Sequence, residues 1–155
     1  MEWTLVEIDR YDPRQDLDDL KELFEDFKQN KAYFDADWKR FELILNKRVL
    51  DLKFRNGMIT AREDGKVIGW GTFTPFTDYL GNERFLIHQV LVKKEHAYKK
   101  GVEEAIIREL ESYIKNTLKH NKAYYISNDK ESQKISLFMK MGMKKSPFIW
   151  YEKEL

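Results

Sequence analysis

The sequence predicts an α/β fold: a mixed, mainly antiparallel twisted sheet flanked by helices. Three observations carry this expectation. Up to Asn56-Gly57, apolar residues recur mostly at helical spacing. From Met58 to Phe73 the pattern changes to two strand-like runs about an Asp64-Gly65 turn. From Phe85 to Ser127 the order is strand, helix, strand. Two adjacent runs joined by a tight turn pair antiparallel, whereas a strand–helix–strand unit pairs parallel, so the sheet must be mixed.

The elements follow in order. Trp3, Leu5 and Ile8 alternate loosely and suggest a short strand, closed by Tyr11-Asp12-Pro13. Asp16 is a candidate cap for a helix whose stripe is Leu17, Leu20, Leu23, Phe24 and Phe27. A second helix starts at Asp35 or Asp37, carries Trp38, Phe41, Leu45, Val49 and Leu52, and ends at Asn56-Gly57. Strands are expected over Met58–Arg62 and Val67–Phe73, with Asp64-Gly65 as the hairpin turn. Pro75–Glu83 reads as a connection. Phe85–Val92 is the most apolar strand candidate, followed by the polar, basic stretch 93–100. After Gly101, an amphipathic helix presents Val102, Ala105, Ile106, Leu110, Tyr113, Ile114 and Leu118. Ala123–Ser127 is a further strand. Asp129 is expected to cap a last helix that Gly142 stops, and Phe148–Tyr151 to close the sheet.

Composition narrows the function classes. The chain has 155 residues, a length that suits a single domain over 1–155. It has no cysteine, which excludes a disulfide framework, a thiolate metal site and a cysteine nucleophile. The net charge of +1, with no long basic run interleaved with aromatics, argues against nucleic-acid binding. No stretch approaches the ~20 apolar residues of a membrane helix, and no signal peptide is visible. A cytoplasmic setting without membrane association is the expectation. Oligomeric state stays open, a homodimer included.

The informative segment is Phe85–Leu118. A helix N-terminus binds anions through its free N–H groups, and Lys93, Lys94, Lys99 and Lys100 place positive charge just before one. The glycines of a P-loop or a dinucleotide fingerprint are missing. On the residues alone, a lysine-rich solvated loop before an ordinary helix explains the segment equally well.

Three segments together resemble the GNAT superfamily of N-acetyltransferases, across nearly the whole chain. Val67-Ile68-Gly69-Trp70-Gly71 is similar to that family's third strand. Leu91-Val92, then the basic loop to Gly101-Val102 and Ala105-Ile106-Ile107, resembles its acetyl-CoA motif, Arg/Gln-x-x-Gly-x-Gly/Ala. Leu137-Phe138-Met139-Lys140-Met141-Gly142-Met143 resembles its later segment, apolar-Tyr-x-Lys-x-Gly-Phe. The chain departs from the pattern at three places. Tyr98 falls on the Arg/Gln position, Glu103 on the second Gly/Ala position, and Phe138 on the tyrosine often used as general acid. The stretch between Val92 and Gly101 is also about one residue longer than usual.

The resemblance implies a GNAT fold and transfer of an acetyl group from acetyl-CoA to an amine acceptor. It implies cofactor contacts at Leu91, Val92, Tyr98, Lys99, Lys100, Gly101, Val102, Glu103 and Phe138, with a backbone N–H near Leu91 or Val92 polarising the thioester. His88 is the candidate base, four residues before Val92 and so on the face of Val90 and Val92. Glu83 and Asp78 could attract a cationic amine, and Phe76 and Tyr79 could line its pocket; solvated charge and plain packing explain them as well. Tyr98, Glu103 and Phe138 equally suit a non-catalytic module that binds a ligand or protein partner, or a structural protein with no cofactor site. A carboxylate at residue 103 helps a helix N-terminus but would repel a phosphate lying there.

Overall fold

The computed structural model describes residues 6–28 and 36–155. Its elements are β1 (Val6–Arg10), α1 (Pro13–Lys28), α2 (Trp38–Val49), α3 (Leu52–Arg55), β2 (Ile59–Glu63), β3 (Lys66–Thr77), β4 (Glu83–Val92), α4 (Val102–Asn116), β5 (Tyr124–Tyr125) and α5 (Ser132–Lys140). The five strands lie in chain order across one sheet. The first four are antiparallel, and β5 joins β4 in parallel. The predicted mixed sheet with flanking helices is therefore the observed one.

Local chemistry sets the early boundaries. Helix α1 starts at Pro13, where a missing N–H costs nothing, and not after Asp16. Asp12 precedes it and accepts from the Arg14 N–H at 2.9 Å. Asp16 is instead buried in the first turn, where it accepts from the Asp12 N–H and holds Arg62. Asp37 caps α2 by accepting from the Arg40 N–H at 3.0 Å. The alternative cap, Asp35, and the strand positions Trp3 and Leu5 lie outside the described residues. The expected second helix is two helices: the chain breaks at Leu50, and Asp51 caps the short α3. Leu52 thereby leaves the apolar stripe and is exposed.

The hairpin turn is Asp64-Gly65, both with positive φ (53° and 77°), as a two-residue turn between twisted strands requires. Strand β3 then runs on through Pro75 to Thr77, so the connection to β4 shrinks to residues 78–82. Helix α4 lies against β2, β3 and β4, and the glycines of β3 let it approach. A Cβ on Gly71 would sit 2.6 Å from Ile106 Cγ2, and one on Gly69 would sit 2.9 Å from Val102 Cγ1. Ile106, Ile107, Leu110 and Ile114 complete that core with Phe73, Phe85 and Ile87. A second core, on Leu20, Leu23, Leu45, Trp70 and Leu91, joins α1 and α2 to the sheet.

The C-terminal part departs most from expectation. Strand β5 is two residues long instead of five. No side-chain cap from Asp129 forms, because α5 begins three residues later with Glu131 before it. Gly142 does stop α5: it has φ 82°, and the next N–H returns to the Phe138 carbonyl at 3.0 Å. Residues 148–151 form no strand, and all four side chains are exposed. A run of β-prone residues needs an edge to pair with, and β5 supplies a very short one.

Candidate active site

The site is built from the carboxyl end of β4. Strand β4 continues to Val92, but β5 pairs only with Leu86 and Ile87. From His88 onward, the edge of β4 away from β3 has no strand partner among the described residues. Leu91 and Val92 themselves sit opposite Trp70 and Gly69 in the β3 ladder. The strand also bulges here. Thr72 faces Gln89 and Thr74 faces Leu86, so three steps on β4 match two on β3. Ile87 and Val90 consequently pack into the same core, and simple alternation does not carry through His88. The expectation that His88 shares a face with Val90 and Val92 assumed an unbroken strand.

His88 is half-buried at this bulge. Its Nε2 lies 3.0 Å from Thr74 Oγ1. Burial, reinforced by the nearby Lys134 charge from α5, holds its pKa below the usual 6.5. The ring is therefore neutral at neutral pH and able to accept a proton. Neither Thr74 nor Lys134 was marked by any local sequence signal, because both meet His88 only through the fold.

Beyond Val92, a single 3₁₀ turn (Lys94–His96) leads to Tyr98 and Gly101, which have φ of 58° and 71°. Gly101 caps α4 in this left-handed conformation, which explains the glycine: a Cβ there would meet no neighbour, but the backbone would be strained. Tyr98 is partly exposed. Glu103 does not turn outward. It is 5% exposed, and its Oε2 accepts the Tyr98 N–H at 2.7 Å. Its Oε1 is buried and has no hydrogen-bond partner among the described residues. Burial pushes the carboxyl pKa up, opposed by the N–H groups of Glu103 and Tyr98.

The lysines are less free than their spacing suggests. Lys100 pairs with Glu63 at 2.9 Å, and Lys93 lies 4.0 Å from Glu22. The Lys94 N–H donates to Asp26 at 2.8 Å, and Glu22 also holds Lys66. The fold lays α1 against the loop, where Glu22 faces Lys93 and Asp26 accepts the Lys94 backbone N–H. Lys99 shares the resulting cleft with Glu22, Asp26, Lys93, Lys94 and Glu95.

Phe138 packs on Tyr125, with ring centroids 5.4 Å apart. The Tyr125 hydroxyl donates a short hydrogen bond to the Glu111 carboxylate, and burial together with that partner raises its pKa strongly. Asp78 and Glu83 sit at the other end of β4. Asp78 accepts from the N–H groups of Leu80 and Asn82 and binds Arg84, while Glu83 meets Lys53 and His120. Both carboxylates are engaged within the chain. Phe76 and Tyr79 are exposed at that same end. Among the described residues, no cluster of three acidic or histidine side chains could hold a metal, and no helix is long and apolar enough to cross a membrane.

A sequence profile for the acetyltransferase (GNAT) family matches residues 17–143. No curated protein sequence matches the chain significantly. Solved structures share its fold nearly end to end. The aminoglycoside N-acetyltransferase AAC(6')-Iy, in complex with CoA, is 14% identical with a TM-score of 0.71, covering 99% of this chain and 98% of its own. A ribosomal-protein-alanine N-acetyltransferase from Brucella melitensis biovar Abortus is 15% identical with a TM-score of 0.68, covering 97% and 100%. A transcriptional regulator from Bacillus halodurans is 13% identical with a TM-score of 0.72, also covering 97% and 100%. With the profile spanning most of the chain, from α1 through the bulged β4 and the Gly101 turn to the end of α5, the protein belongs to the acetyltransferase (GNAT) family.

Proposed function

We propose that the chain, as one domain, transfers an acetyl group from acetyl-CoA directly to an amine acceptor. The observation that carries this reading is the open edge of β4 with a neutral His88 at its bulge. An unpaired strand edge offers backbone donors and acceptors to an extended, amide-bearing arm. The chain runs from that edge through Leu91, Val92, Tyr98, Lys99, Lys100, Gly101 and Val102 to the start of α4, and the family resemblance assigns these residues and Phe138 to the ligand; the Leu91, Val92 and Val102 side chains are buried, so they would offer it backbone groups. The edge and the Gly101 turn suit such a ligand. The diphosphate end meets Glu103, which does not suit it.

Acetyl-CoA supplies the acyl group as a thioester. An alkyl amine is mostly protonated at neutral pH, so a base must first accept its proton. His88, neutral and half-buried, takes that role directly or through one water. The amine nitrogen then bonds to the carbonyl carbon, and as the carbon–sulfur bond breaks the nitrogen gives its second proton to water, leaving a neutral amide. A β4 backbone N–H near the reacting carbonyl favours the developing oxyanion. Phe138 has no proton to give, and Tyr125 holds its own tightly on Glu111. The sulfur therefore leaves as thiolate, tolerable for a thiol of pKa ~8.5, and is protonated by solvent. With no cysteine in the chain, no acyl-cysteine can intervene.

Glu103 and Phe138 favour one second reading: a module of this family that binds a ligand or partner without catalysis. Acetyl-CoA tests the shared part. It should raise the melting temperature, and Gly101→Glu should abolish the rise. An unchanged melting curve at saturating acetyl-CoA contradicts both readings. Binding without amine-dependent thiol release leaves the second.

A further inference from the structure

We propose that Glu103 is a built-in occupant of the anion-binding loop before α4, and that it sets the chain's affinity for any ligand bearing a diphosphate. The proposal rests on the acyl-CoA reading above. An anion at a helix N-terminus is held by backbone N–H groups, and the first turn of α4 after Gly101 carries such groups; in the loop before it, Ala97 and Lys99 donate theirs to the Lys94 and His96 carbonyls. A further loop donor, the Tyr98 N–H, is used by Glu103 Oε2 at 2.7 Å. The side chain is turned back from the first turn of α4 into the loop and is 95% withdrawn from solvent. Its second oxygen is a buried acceptor with no partner among the described residues. A carboxylate so placed does for the loop what a ligand phosphate would do, while adding a negative charge that a phosphate must face.

Two of the four loop lysines that could offset that charge, Lys100 and Lys93, lie against Glu63 and Glu22. A diphosphate can enter only when the Glu103 side chain leaves the Tyr98 N–H. Ligands that end before the diphosphate have no such requirement. Glu103 thus discriminates between the two ends of acyl-CoA: it penalises the nucleotide end and is indifferent to the acyl-pantetheine end.

The test compares two ligands on three proteins by titration calorimetry at one pH and ionic strength. The ligands are acetyl-CoA and S-acetylpantetheine, which lacks the diphosphate and nucleotide. The proteins are the full chain, Glu103→Gln and Glu103→Ala. Glu103→Gln keeps an oxygen for the Tyr98 N–H and removes the charge, so it guards against a loop that collapses in Glu103→Ala; melting curves check both. The proposal expects acetyl-CoA to bind Glu103→Ala at least about tenfold tighter than the parent chain, a gain of ~1.4 kcal/mol. It expects S-acetylpantetheine to bind all three within about twofold. A smaller gain in Glu103→Gln than in Glu103→Ala assigns the excess to space and the shared part to charge. Equal acetyl-CoA affinity in all three folded proteins overturns the proposal and leaves the acyl-CoA reading standing. So does an equal gain for both ligands. Absence of acetyl-CoA binding in all three overturns both.

Discussion

Asp16 and Arg62 form a buried pair whose disruption has a calculable cost. Arg62 Nε lies 3.2 Å from Asp16 Oδ1, and its Nη2 makes a shorter bond to Oδ2. Side-chain exposure is 8% for Arg62 and 3% for Asp16. The other partners of the guanidinium are weaker: Asp9 at 3.1 Å is 66% exposed, and the Arg10 carbonyl is 3.4 Å away. An exposed partner contributes ~0–1 kcal/mol. Asp16→Asn therefore leaves a buried guanidinium without an adequate counter-charge, at a cost of ~3–5 kcal/mol. For a chain of this size each kcal/mol lowers the melting temperature by roughly 2–4 °C, so the expected fall is about 6–20 °C. Replacing both partners by apolar residues, Asp16→Leu with Arg62→Met, should recover most of this loss. The remainder, ~1 kcal/mol, reflects the Asp12 N–H that Asp16 also satisfies. Urea unfolding of Asp16→Leu, Arg62→Met and the double variant gives the coupling energy. A cost below 1 kcal/mol for Asp16→Asn, or strict additivity in the double variant, would show that Asp16 does not hold the buried Arg62 charge.

Further outcomes are expected. Gly71→Ala places a Cβ 2.6 Å from Ile106 Cγ2 and 3.2 Å from Val90 Cγ2; denaturant midpoints should report a loss of ~1–3 kcal/mol, and the loss should be smaller in an Ile106→Ala background, which removes that Cγ2. His88 titrates below its usual value, so it is neutral above that midpoint and the acid limb of acyl transfer set by His88 should lie below pH 6.5. Lys134→Gln should move this acid limb upward, and an unmoved limb would remove Lys134 from the environment of His88. Burial raises the Glu103 pKa in the folded state, so its contribution to stability is complete below the unfolded value and is lost as pH rises through the folded one. The stability of Glu103→Gln relative to the parent chain should therefore grow with pH from about 4.5 upward. A pH-independent difference would show that the carboxyl is not perturbed by burial.

Local signals were legible in the sequence where they decided the structure. The Asp64-Gly65 turn, the α4 stripe and the Gly142 stop were all visible, because turn chemistry and helical periodicity act within a few residues. The Gly-Trp-Gly of β3 was visible as a motif, but its reason, the approach of Ile106, was not. What escaped were tertiary facts. Asp26 and the Lys94 backbone N–H meet across 68 positions of sequence, and no local pattern says that an acidic helix will lie against a distant basic loop. The bulge in β4 broke the alternation used to place His88, and bulges leave little trace in residue type. The expected strand over 148–151 had the right composition but no long edge to join. At Glu103 the sequence posed the conflict between a helix dipole and a bound phosphate. Only the fold showed that the side chain turns inward.

The most direct test of the account is amine-dependent release of CoA thiol from acetyl-CoA, measured over a panel of primary amines. The parent chain and Glu103→Ala serve as enzymes, and His88→Ala as the control. Release above the rate in water alone is expected with at least one amine, with a fall of roughly 10²–10⁴-fold in His88→Ala. Binding of acetyl-CoA by both enzymes with no amine-dependent release from either would contradict it.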